Sequence, residues 1–92
     1  MGHTVKDKTK LLNRVGRIRG QLNAVEKALM QDDDCSAVLQ TLAACRGALN
    51  GLMSEIIEGH VRHHIVDPSK RPSSMQARAT QELLDVLRAY LK

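Results

Sequence analysis

Ninety-two residues with a formal net charge of +4 make one small domain, 1–92, short enough that self-association is a common route to stability. The only aromatic residue is Tyr90, with no Phe or Trp, so the core must be Leu, Ile, Val, Ala and Met, which suits helix packing. No apolar run approaches the roughly 18 residues of a membrane span, nothing reads as a signal peptide, and Lys6 stands where a myristoylation start beginning at Gly2 needs Ser or Thr.

The first helix is predicted near residues 5–30. Thr4-Val5-Lys6-Asp7 resembles a capping box with Asp in place of Glu. Leu11, Val15, Ile18, Leu22, Val25 and Leu29 follow at alternating spacings of 4 and 3, an apolar seam of heptad type. Lys6, Lys8, Lys10, Arg14, Arg17 and Arg19 stand against Asp7 alone in the first 20 residues. That local excess suits a polyanion partner, and equally a solvated helix face.

Gln31-Asp32-Asp33-Asp34 breaks the pattern, and its carboxylates suit the positive end of a following helix. No proline and no long polar break falls between Asp34 and Val66, so 34–66 reads as one long helix. Val38, Leu42, Cys45, Leu49, Leu52 and Ile56 keep the seam; Leu39, Ala43, Met53 and Ile57 widen it, as packing by more than one neighbour requires. Gly47 and Gly51, four apart, suit a close helix approach. Residues 67–72 form the one linker-like stretch. Ser73 to Gln76 offers a cap, and Leu83, Leu84, Leu87, Tyr90 and Leu91 mark a third, shorter helix near 74–91. With no strand signal, the fold class is all-α.

Cys35 and Cys45 are ten residues apart on one helix, about 15 Å of rise, too far for a disulfide. Free thiols suit a reducing cytoplasm. Cys45 lies on the seam and reads as core. Cys35 follows three aspartates at a helix start, where the positive end of the helix dipole and the carboxylate charges oppose each other.

His60 and His64 are i and i+4, so their imidazoles share a helix face. Val61 stands where a zincin would carry Glu. His63 could substitute for His64 but points off its direction. Twenty-five residues, about 37 Å, separate Cys35 from His60 along one helix. If thiol and imidazoles share a ligand, Cys35 must come from a second, antiparallel copy. Removal of Met1 would leave the Gly2 amine beside the amide and imidazole nitrogens of His3, a further set of donors. Nitrogen donors with one thiolate suit Ni(II), Co(II), Zn(II) or Cu(II) better than Cu(I).

Taken together, His3-Thr4 with Asp7-Lys8, Arg17-Ile18-Arg19-Gly20-Gln21, Cys35, Ala44 to Met53, Gly59-His60 and the ending Leu87 to Lys92 resemble the CsoR/RcnR family of all-helical bacterial repressors. The resemblance spans nearly the whole chain. It implies a three-helix chain forming an antiparallel dimer with a four-helix-bundle core, assembled as a dimer of dimers, its sensor site shared between subunits. Copper sensors of the family have Cys where His64 stands. Formaldehyde sensors resemble this chain at Cys35 and His60 but rely on Pro at position 2, where this chain has Gly2. Nickel/cobalt sensors carry the His at 3, Cys at 35 and His at 60 and 64 found here, and some carry a further His near Asp67.

The resulting expectation is a DNA-binding, non-enzymatic repressor. It leaves operator DNA when Ni(II) or Co(II) binds Cys35, His60, His64, His3 and Gly2, with Zn(II) or Cu also open. Aromatic base-stacking residues and a helix-turn-helix pattern are absent, so Lys10, Arg14, Arg17, Arg19 and Arg46 are expected to contact phosphates and read DNA shape. A formaldehyde-responsive repressor using Cys35 and the Gly2 amine, and a metal-storage or metal-chaperone protein, are the alternatives.

Overall fold

A computed structural model describes residues 5–32 and 34–91, with side chains from residue 7 onward. It contains three helices: α1 (Val5–Met30), α2 (Cys35–His64) and α3 (Met75–Tyr90). The capping-box Thr4 and the candidate ligands Gly2 and His3 lie outside the described residues.

α1 and α2 form an antiparallel hairpin through a tight turn. Gln31 N–H donates to Lys27 C=O, and Asp32 takes a left-handed φ of 53°, a conformation Asp tolerates better than most L-residues. Asp34 caps α2 by accepting from Ser36 N–H at 3.3 Å. The seams meet where expected: Ile18 and Val25 of α1 and Val38 and Cys45 of α2 are buried. Among the described residues of one chain, neither Gly47 nor Gly51 is approached by the backbone of another helix. Gly47 faces open space, and the Arg14 guanidinium fills the room beside Gly51.

After α2 the chain turns at Asp67, whose carboxylate accepts from Ser69 N–H and Oγ. Ser74 caps α3 through Ala77 N–H. Ala77 and Leu84 of α3 are buried, as is Val61 of α2. Arg88 of α3 donates to Glu58 of α2. Among the described residues α3 touches α2 and not α1. Val61 lies about 160° round α2 from Cys45 at ~100° per residue, so α3 and α1 occupy opposite flanks of α2.

The three helices therefore make a single layer measuring 56 × 26 × 12 Å. Its radius of gyration is 17.2 Å; a compact chain of this length would have about 12 Å. A layer one helix thick covers neither of its broad faces. Counting ~100° per residue from the buried seams separates those faces. One carries Leu12, Leu22 and Leu29 of α1 with Leu39, Leu42, Leu49, Met53 and Ile56 of α2, all exposed. The other carries Lys10, Arg14 and Arg17 with Gly51, Glu55 and Ala48.

Candidate functional site

Cys35, His60 and His64 fall on one flank of α2. Counted from Cys45 they lie at about 80°, 60° and 100°, on the flank of Leu42, Leu49 and Met53. All three are exposed. The His60 and His64 rings stand 5.1 Å apart between centroids, tilted by 36°. That spacing allows two imidazole nitrogens to converge on one small ion, so the pair fits a chelating role. Cys35 begins the helix and the histidines end it, about 37 Å apart along the axis. No group of three His, Cys, Asp or Glu side chains comes together within one chain among the described residues. His63 instead lines a cleft between the helices with Asp7, Lys10, Glu58 and Arg62. Because Asp7 borders the same cleft, α1 starts beside the histidine end of α2.

Cys45, predicted as core, is 3% exposed.

The cations divide. Lys10, Arg14 and Arg17 line one cleft on α1, together with Asn13. Arg17 is exposed and forms no ion pair among the described residues. Arg14 Nη2 donates to Glu55 Oε1 at 2.8 Å, and Lys10 Nζ lies 3.5 Å from the same oxygen. Arg19 is two residues, about 200°, round from Arg17 and sits on the apolar face with Arg46. The structure thus gathers three of the five predicted DNA contacts.

Two acidic residues that drew no notice in the sequence organise these contacts. Glu55 joins α1 to α2. Glu58 accepts from Arg62, one turn on, and from Arg88 of α3. The i,i+4 relation of Glu58 to Arg62 was readable; the pairing of Arg14 with Glu55, 41 residues away, carries no local signal.

The described chain is thus a flat helical layer with a basic cleft on one face and Cys35, His60 and His64 on a flank of α2. A family model described as metal-sensitive transcriptional repressor matches residues 7–89. The chain belongs to this family, the CsoR/RcnR repressors, whose members are not enzymes. It is 49% identical to an uncharacterised Serratia marcescens protein encoded in the bioA 5′ region, over the full length of both. It is 46% identical to the transcriptional repressor RcnR of Salmonella typhimurium, again over all of both chains. Among solved structures it is similar to a variant of the formaldehyde-responsive regulator FrmR from Salmonella enterica serovar Typhimurium. There the TM-score is 0.68 and the identity 46%, covering 96% of this chain and 98% of the other. A metal-storage or chaperone role is not the activity of this family. No helix among the described residues is long and apolar enough to cross a membrane.

Proposed function

We propose that this chain is a cytoplasmic repressor that releases operator DNA when Ni(II) or Co(II) binds a site shared between two copies. The observation that carries this reading is the single flank of α2 bearing Cys35, the exposed leucines and Met53, and His60 with His64. An antiparallel partner laid on that flank covers the apolar side chains and brings its Cys35 to the two histidines in one move. Gly2 and His3 belong to the four residues preceding α1, which starts beside the histidine end of α2; they would complete the donor set. The metal supplies a positive centre that one thiolate and several nitrogens can share.

The chain's own residues do the rest. His60 and His64 hold their rings one helical turn apart, and Cys35 supplies the charge and the softness. The basic cleft of Lys10, Arg14 and Arg17 faces away from the sensor flank, across a layer one helix thick. Its contacts with DNA are to phosphates, with Arg19 and Arg46 available only where the assembly leaves the other face open. Two such dimers would form the tetramer, bringing four times the +4 of one chain to the duplex.

A second reading is favoured by the likeness to the FrmR variant: Cys35 as a nucleophile toward formaldehyde, with the Gly2 amine as its partner. Titration of operator binding with Ni(II), Co(II), Zn(II), Cu(I) and formaldehyde in parallel separates the two. Release by Ni(II) or Co(II) at the lowest concentration supports the first. Release by formaldehyde alone, with a covalent mass increase on Cys35 or Gly2, overturns it. Mixing Cys35→Ala with His60→Ala/His64→Ala protein tests the shared site. Heterodimers should regain one intact site of two, and no recovery in verified heterodimers would mean the ligands do not meet across the interface.

A further inference from the structure

Lys10 and Arg14 belong to the basic cleft of α1, yet both are held by one carboxylate of α2. The Arg14–Glu55 pair is partly shielded, with side-chain exposures of 33% and 27%, so it is screened less than a fully exposed pair. The arm of Arg14 reaches Glu55 by crossing α2 at Gly51. A Cβ placed there would meet Arg14 Nη1 at 2.6 Å. Glycine at this position leaves the guanidinium its seat. DNA phosphate requires the same donors, so Glu55 and DNA compete for them.

The geometry points to Glu55 as the positioning residue through which α2 sets DNA affinity: its pairs with Lys10 and Arg14 compete with phosphate, and effector binding tightens them. This rests on the repressor reading and adds the side chain that carries its message. Glu55 precedes His60 by five residues, about 7.5 Å of rise, and lies some 140° round the helix from it. A rotation or axial shift of α2 on closure of the Cys35/His60/His64 site therefore moves Glu55 against α1. Drawn toward α1, its carboxylate neutralises two cations. Drawn away, it leaves them to the duplex. Arg17 is available in both states and maintains weak, non-specific binding.

The test uses the full-length chain with Glu55→Gln and, separately, Gly51→Ala. The first keeps the shape and removes the charge. The second keeps the charge and displaces the guanidinium, while Ala favours the helix. Operator binding is measured by fluorescence anisotropy across a salt series, with and without NiCl2. The Ni(II)–thiolate absorption reports on the sensor site. Effector coupling in allosteric proteins is typically about 5- to 150-fold. Both variants should retain operator in NiCl2 about tenfold more tightly than wild type. Their log–log salt slope in NiCl2 should steepen by about 0.9 per phosphate contact regained, with the thiolate absorption unchanged. Release identical to wild type in both variants overturns the role of Glu55 alone. So does weaker binding with an unchanged slope, which would mean Glu55 merely orders Arg14. If Glu55→Gln fails to fold, Gly51→Ala decides by the same readouts. Wild-type protein that binds no duplex DNA would instead overturn the repressor reading, and this inference with it.

Discussion

At the scale of single residues, the two turns carry the local strain and the local charge. Asp32 holds a φ of 53°. The left-handed region costs an L-residue about 1–2 kcal/mol, less for Asp than for a branched side chain. Asp32→Gly should therefore raise stability by up to about 1 kcal/mol in chemical denaturation, and Asp32→Val should lower it by at least that much. Equal stability in both variants would show that the turn is not strained. Asp67 is the second case. The Ser69 hydroxyl donates to its carboxylate at 2.6 Å and the Ser69 N–H at 3.0 Å, with Arg62 and Lys70 nearby. The hydroxyl bond leads in holding its pKa below the ordinary 3.8. A folded value below the unfolded one means that the stabilisation is complete above 3.8 and is lost as pH falls through the lower value. A carboxyl titration followed by NMR should give a midpoint below 3.8, moving back toward it in Ser69→Ala. A midpoint unchanged by that substitution would remove the hydroxyl as the cause.

At the scale of elements, periodicity and breakers carried most of the information. The 4-3 seams of the first two helices, the breaks at 31–34 and 67–72, and the cap and apolar side of the third placed all three helices to within two residues. The differences lie at the ends: Asp34 and Ser74 are caps outside their helices, and Ile65 leaves α2 with φ −120° and ψ −78°. Cys45 was legible as core because it sits on a seam. What periodicity could not show is which flank each neighbour takes. α3 packs opposite α1 through Leu84, Ala77 and Val61, and Glu58 ties it down through Arg88. These contacts join residues far apart in sequence, and local pattern is blind to them. Leu84→Ala should cost about 2–5 kcal/mol, since the side chain is almost fully enclosed. Amide exchange should then quicken first in α3, with the α1–α2 hairpin still protected. Uniform loss of protection over all three helices would mean that α3 is integral to one cooperative unit.

At the scale of the whole molecule, the flat layer explains why the sensor set was half legible. Spacing alone showed that Cys35 and His60 cannot meet in one helix and, at ~100° per residue, that they share a flank; that this flank is left bare by α1 and α3 emerges only once Cys45 is seen to face α1 and Val61 to face α3. A site shared across that flank would also fix a register for an antiparallel partner. If Cys35 of one copy meets the midpoint of His60 and His64 of another, each residue faces the one whose number completes a sum near 97, and the two-fold axis passes beside Leu49. Leu49 is exposed on this flank, 47% of its surface bare. Packed helices lie about 8–10 Å apart between axes, which brings facing Cα atoms near the axis within reach of a disulfide. Leu49→Cys, in a Cys35→Ser background to remove the other exposed thiol, should thus form a covalent dimer under mild oxidation. Leu39→Cys, whose counterpart near residue 58 lies far from its own copy, should not. Non-reducing electrophoresis reads both. Cross-linking through position 39 in preference to 49 would displace the axis by several turns of α2, and with it the meeting of Cys35 with His60 and His64.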